Sequence, residues 1–196
     1  MTVRNLDALF NPKSIAVIGA SLRAGSIGEM VWSRLSAANF AGPVWAVNPK
    51  HRQLNGAAVF ARIDDLPDTP AVAVLCTPPP TWPGIVSQLG ARGTRAVVII
   101  GQAGEPEGRD WTRRTLAAAR PFLLRVVGPA SVGVMTPAVG AVLGAPSCAI
   151  AAGGVAWVSA SNALTNGVMG WANARGLGFS RVVALGDEAE DRKSVV

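Results

Sequence analysis

Three short runs in this chain combine residue types able to hold a charged ligand. The first is Gly19-Ala20-Ser21-Leu22-Arg23-Ala24-Gly25-Ser26-Ile27-Gly28. Glycine lets a backbone turn sharply and approach a phosphate, whose charge the start of a following helix stabilises. The spacing departs from the G-x-G-x-x-G fingerprint, although Gly25 and Gly28 keep its closing pair. The same glycines also suit a turn that merely connects two elements. The second run is Val47-Asn48-Pro49-Lys50-His51-Arg52. The third is Cys76-Thr77-Pro78-Pro79-Pro80, echoed by Gly101-Gln102-Ala103-Gly104-Glu105. Proline cannot pair inside a sheet, so a strand must stop there.

The second run sharpens the chemistry. A site built for NAD places Asp or Glu at that point to bind ribose hydroxyls. Here no acid is present, and three cation-capable side chains stand instead. They suit an anion, either the 2′-phosphate of NADP or the 3′-phosphate of coenzyme A, or else they form a solvated basic turn.

Other chemistries find little support. Cys76 and Cys148 are far apart and have no partner at metal-ligand spacing, so they read as reduced thiols packed as small apolar groups, with no metal site. His51 is the only histidine, so any phosphohistidine on this chain must be His51. The net charge is +6, yet the basic residues are scattered and Tyr is absent. That argues against nucleic acid and fits a small polyanion. No apolar run is long enough to span a bilayer, and Met1-Thr2-Val3-Arg4-Asn5 leads into no long apolar stretch. A cytoplasmic protein is expected.

These runs must be held by regular elements, and the apolar pattern supplies them. Hydrophobic residues make up 49% and charged residues 15%, which fits a packed core and excludes disorder. Strands are predicted at Ser14–Gly19, Val44–Val47, Ala71–Leu75, Arg95–Ile100 and Leu123–Val127, with a short one near Ala57–Phe60. Helices are predicted from Ile27 to Ala38, from Pro83 through Leu89 to Gly90 and Gly93, and from Trp111 to Arg120. This alternation predicts an α/β fold, a Rossmann-like doubly wound parallel sheet with the three runs at its carboxyl edge. Val132–Ala152 reads as loop and linker. A new βαβ unit follows at Gly154–Ser159, Ala163–Ala174 and Ser180–Leu185, ending in a polar tail from Asp187 to Val196. The expected organisation is a domain over residues 1–145 and a partial second domain over 146–196.

The runs Asn11-Pro12-Lys13-Ser14-Ile15-Ala16-Val17-Ile18-Gly19-Ala20-Ser21, Val47-Asn48-Pro49-Lys50 and Gly128-Pro129 resemble the CoA-binding domain of NDP-forming acyl-CoA synthetases. That family includes the α subunit of succinyl-CoA synthetase and ADP-forming acetate–CoA ligases. The similarity continues through Trp157–Gly186, where the family's flavodoxin-like second domain begins. It implies that Gly19, Ser21, Arg23 and Gly25 line the phosphates of CoA or an acyl-CoA. Asn48, Pro49 and Lys50 would then hold the adenosine end, and Thr77, Pro78 and Pro79 flank the pantetheine. Ala20, Ser26, Ile27, Val47 and Gly101 complete the candidate site.

Two departures bear on activity. Synthetases of this kind usually carry Gly-Pro-Asn-Cys, at the acyl site, and Ser-Gln-Ser-Gly, at a phosphate site. This chain has Gly128-Pro129-Ala130-Ser131 and Ser159-Ala160-Ser161-Asn162. Ser161–Asn166, Gly178–Ser180 and Ala184–Asp187 also resemble the synthetase-like region of bacterial GNAT protein lysine acetyltransferases. The resemblance implies a sensing or regulatory module without catalytic residues of its own, alongside an ATP-grasp or GNAT partner and with homo-oligomers in view. The α chain of an ADP-forming acyl-CoA ligase is the alternative, and an NADP-binding oxidoreductase domain the second.

Overall fold

A computed structural model describes residues 5–102, 104 and 108–187. Residues Met1 to Arg4, Ala103, Glu105 and the tail from 188 onward, which the sequence reading touched, lie outside the described residues.

The central strands of the first sheet are short and apolar because both of their faces are covered. β1 (Ile15–Ile18), β2 (Val44–Val47), β4 (Ala57–Phe60), β5 (Val72–Leu75), β6 (Ala96–Ile99) and β7 (Arg125–Val127) run parallel. The two-residue β3 (Gln53–Leu54) pairs antiparallel with β4 at the edge. The spatial order is β3-β4-β2-β1-β5-β6-β7, so the chain reverses direction across the sheet between β1 and β5. A ligand crevice opens at such a reversal, outside the carboxyl ends of the strands.

The two-residue period of a strand sorts the core into two layers. Ile15, Val17, Val72, Val74 and Val98 face one layer with Val31, Trp32 and Leu35 of α2 (Ile27–Ala37). Leu9 of α1 (Leu6–Phe10) joins them there. Ala16, Ile18, Ala73, Leu75 and Ile99 face the other, with Val86 and Leu89 of α3 (Trp82–Ala91) and Ala119 of α4 (Gly108–Ala119). The expected doubly wound α/β sheet is therefore present.

The loop-and-linker reading of Val132–Ala152 is corrected. β8 (Gly133–Thr136) and β9 (Ala141–Gly144) form an antiparallel hairpin there, and the next strand, β10 (Ala152–Ser159), begins at Ala152. With α5 (Asn162–Asn173) and β11 (Phe179–Ala184) they build a second sheet ordered β10-β11-β8-β9. Close backbone approach explains why glycines occur in this hairpin. A Cβ at Gly133 would lie 2.4 Å from the Leu143 carbonyl oxygen, and one at Gly144 would lie 2.1 Å from that of Val132. Val134 and Leu143 pack into the same layer as α2, while Met135, Met169, Phe179 and Val182 form a separate small core.

Candidate nucleotide-binding site

A cleft of about 1050 Å³ opens where β1, β2 and β5 end. That is at the upper end of the ~300–1,000 Å³ typical of ligand pockets. Three loops enclose it, each leaving the sheet by continuing the ladder for one residue. Gly19 N–H donates to the Val47 carbonyl at 2.8 Å, Cys76 N–H to that of Ile18 at 2.9 Å, and Asn48 N–H to that of Phe60 at 2.9 Å.

The first loop turns through Gly19 (φ +89°) and Gly25 (φ +73°), a region that side chains other than glycine rarely enter. Ser21 Oγ accepts from Arg23 N–H at 3.0 Å, and Ser26 caps α2 by accepting from Glu29 N–H at 3.2 Å. Ile27 and Gly28 lie in the helix's first turn, where N–H groups have no intrahelical acceptor, and both line the cleft. That is the arrangement that binds phosphate. Gly28 lets the helix close onto the sheet, because a Cβ there would sit 2.0 Å from the Gly19 carbonyl oxygen.

The second loop brings cations. Lys50 and His51 line the cleft together with Arg23 of the first loop. Arg62, which follows β4, lines it too, and its exposed side chain is 3.6 Å from Asp64. Among the described residues, no Asp or Glu lines the cleft. The corner that holds a carboxylate in NAD sites is basic.

The third loop is held from below. The buried indole of Trp82 donates to the Thr77 carbonyl at 2.8 Å, and Thr81 Oγ1 lies 2.7 Å from the Pro78 carbonyl and 2.8 Å from the Thr77 hydroxyl. Cys76 lines the cleft beside them. Burial pushes its thiol from the ordinary 9.0 to about 12. Alkylation proceeds through the thiolate, so at pH 8 Cys76 is expected to react about a thousandfold more slowly than an unhindered thiol. A time course of iodoacetamide adducts by mass spectrometry checks this, and a rate matching a small free thiol would refute it. Cys76 and Cys148 are both free, and the described residues contain no metal-binding cluster.

Of the residues singled out from sequence, the cleft gathers Gly19, Ser21, Arg23, Gly25, Ser26, Ile27, Val47, Asn48, Pro49, Lys50, Thr77 and Pro78. Ala20, Pro79 and Gly101 are not among its lining. Ala20 is fully buried and presents its carbonyl to Asn48, Pro79 opens a 3-10 turn, and Gly101 packs on Trp82. The cleft also takes in Gly28, His51, Arg62, Ile63, Ile85 and Gln88, which the site reading left out. For Gly28 and His51 the signal was present, since each sits within a run already marked. Arg62, Ile85 and Gln88 had none.

Residues 13–137 match the family described as the CoA binding domain. The chain belongs to that family. The match spans β1 to β8 and therefore the whole cleft. The chain is 35% identical over 196 aligned residues to the α subunit of ADP-forming acetate–CoA ligase I from Pyrococcus furiosus, covering 95% of this chain and 42% of that subunit. It superposes on dinucleotide-forming acetyl-coenzyme A synthetase 1 of Ca. Korarchaeum cryptofilum, solved with phosphate and ADP. The TM-score is 0.88 at 29% identity, covering 94% of this chain and 40% of that one. ATP citrate lyase from Methanothrix soehngenii, solved with citrate and coenzyme A, shares the fold at a TM-score of 0.62 and 20% identity, covering 90% of this chain and 31% of that one. The chain thus spans about two fifths of the acetate–CoA ligase subunit and of the acetyl-coenzyme A synthetase. No helix among the described residues is long and apolar enough to cross a membrane.

Proposed function

We propose that this chain is the CoA- or acyl-CoA-binding region of an NDP-forming acyl-CoA synthetase-like protein, serving as a sensing or regulatory module. The observation that carries the reading is a cleft at the sheet's reversal point with Arg23, Lys50, His51 and Arg62 on its walls and no carboxylate among the described residues that line it. Bound CoA supplies a thiol able to carry an acyl group. The chain's own residues hold the ligand: the Gly19–Gly28 loop and the start of α2 take the diphosphate, Lys50 the 3′-phosphate, and Thr77 and Pro78 flank the pantetheine.

The absence of catalysis in this reading is supported by the junction of the two sheets. Asn162, at the start of α5, donates its amide to the Ala130 carbonyl and accepts from Val132 N–H at 3.2 Å. Ser131 is buried, donating to the Ala184 carbonyl and accepting from Gly133 N–H at 2.9 Å. Asn162 is thus engaged with the backbone on either side of Ser131, and Ser131 with the end of β11. Residues 1–145 would form the CoA-binding domain and 146–196 the start of a flavodoxin-like one, with the hairpin β8–β9 joining them. An ATP-grasp or GNAT partner, or a second copy of the chain, would act with it in the cytoplasm.

Titration with CoA, acetyl-CoA, dephospho-CoA and NADPH tests the proposal directly. CoA or acetyl-CoA is expected to bind and NADPH to fail; preferential binding of NADPH would overturn it. Lys50→Ala is expected to weaken CoA about tenfold while sparing dephospho-CoA, since a charge-assisted bond is worth ~1.5–3 kcal/mol and Lys50 is exposed. Equal loss for both ligands would reject that role.

The 35% identity to a ligase α subunit favours one further reading, the α chain of an ADP-forming acyl-CoA ligase. Radiolabel transfer from ATP to this chain, in the presence of an ATP-grasp subunit, would establish that reading and displace the regulatory one.

A further inference from the structure

Asn48 stands in the middle of the cleft wall, but its side chain is already engaged. Nδ2 donates to the Ala20 carbonyl at 2.8 Å, across to the first loop. Oδ1 accepts from Lys50 N–H at 2.9 Å, closing the turn that presents Lys50. Its backbone N–H reaches the Phe60 carbonyl at 2.9 Å, two residues before Arg62. One half-buried residue therefore ties together the diphosphate loop and the lysine turn through its side chain, and the end of β4 through its backbone.

From this geometry we infer that Asn48 is a positioning residue that couples the diphosphate loop to the 3′-phosphate cation, and not a ligand of CoA. The inference rests on the CoA reading of the cleft and deepens it. An Asn that closes a turn onto the second residue along fixes the backbone direction there, so Lys50 keeps its aim only while Oδ1 accepts. The bridge to Ala20 holds the glycine loop at a set distance from that lysine.

The two hydrogen bonds separate experimentally. Asn48→Ser keeps an oxygen able to close the turn but is too short to reach Ala20. Asn48→Ala loses both contacts. Dissociation constants for CoA and dephospho-CoA, measured on the whole chain, read the difference. Asn48→Ser is expected to weaken both ligands by a similar factor, about three- to tenfold, and to keep the preference for CoA. Asn48→Ala is expected to lose that preference as well, and to add no further loss of it when combined with Lys50→Ala.

An unchanged CoA preference in Asn48→Ala would overturn the coupling, as would additive losses in the double variant. If Asn48→Ala does not fold, as judged by circular dichroism, Asn48→Ser decides alone. A selective loss of CoA binding there refutes the inference. A Lys50→Ala variant that keeps the full CoA preference would instead remove the underlying assignment of the 3′-phosphate, and the coupling with it.

Discussion

Gly28→Ala is expected to destabilise the fold by about 2 kcal/mol and to weaken CoA binding by more than about tenfold. On helix propensity alone the change should help, since Ala is favoured over Gly by up to ~1 kcal/mol inside a helix. The opposing effect is larger. The new Cβ would meet the Gly19 carbonyl oxygen at 2.0 Å and the Ser21 amide nitrogen at 3.3 Å. Both contacts are backbone, so no rotamer change relieves them. Relief needs the first loop to move by about an ångström away from α2, and that displaces the donors proposed for the diphosphate. Overpacking of this kind costs about 1–3 kcal/mol. Gly84→Ala in α3 is the matched control: nothing lies within 4 Å of its Cβ, so it should be neutral or up to ~1 kcal/mol stabilising. Urea unfolding of both variants, with CoA titrations alongside, provides the comparison. A Gly28→Ala protein as stable as the Gly84→Ala control would show that the close approach of helix and loop is not a constraint.

Trp82→Ala is expected to cost about 3–5 kcal/mol, a large share of the ~5–15 kcal/mol that holds a typical domain together. Trp82 is 0% exposed and packs with Val86, Leu89 and Ile99 on the sheet face opposite α2. It also links core to site. Its Nε1–H holds the Thr77 carbonyl, and its Cζ2 lies 3.2 Å from where a Cβ of Gly101 would be. Truncation therefore removes packing and frees the Thr77-Pro78 loop together. Trp82→Phe distinguishes the two. It keeps most of the packing but leaves the Thr77 carbonyl without its donor, an effect of about 1–3 kcal/mol, and the loop proposed to flank the pantetheine should loosen. Denaturation midpoints measure the stability change, and affinity for pantetheine-bearing ligands against adenosine phosphates measures the loop. A Trp82→Ala variant within 1 kcal/mol of the parent would contradict the packing account.

The first sheet was readable from sequence because its strands lie in a special environment. Ile15–Ile18, Val72–Leu75 and Ala96–Ile99 are buried on both faces, so nearly every position must be apolar and the runs stand out without any neighbours being known. Their ends were readable too, because Pro49 and Pro78 have no N–H to extend a ladder and Gly19 favours a turn. The hairpin at 133–144 was not. Its glycines and alanines carry little pattern of their own, and Gly133, Gly140 and Gly144 are there because another backbone passes within about 2.4 Å of where a Cβ would be. Only the folded chain brings that backbone near.

The site divides along the same line. Sequence alone determined that a glycine turn and a basic turn follow the first two strands, and that no carboxylate stands where NAD sites have one. Those are properties of neighbouring residues, set by what each backbone and side chain is able to do. Tertiary structure decided that Arg62 joins the cleft, because β4 lies beside β2, and that Ile85 and Gln88 of α3 reach it. It also decided that Asn48 spends its amide on Ala20 and Lys50. A hydrogen bond between residues 28 positions apart depends on where two loops meet, and strand order, not local sequence, sets that meeting point.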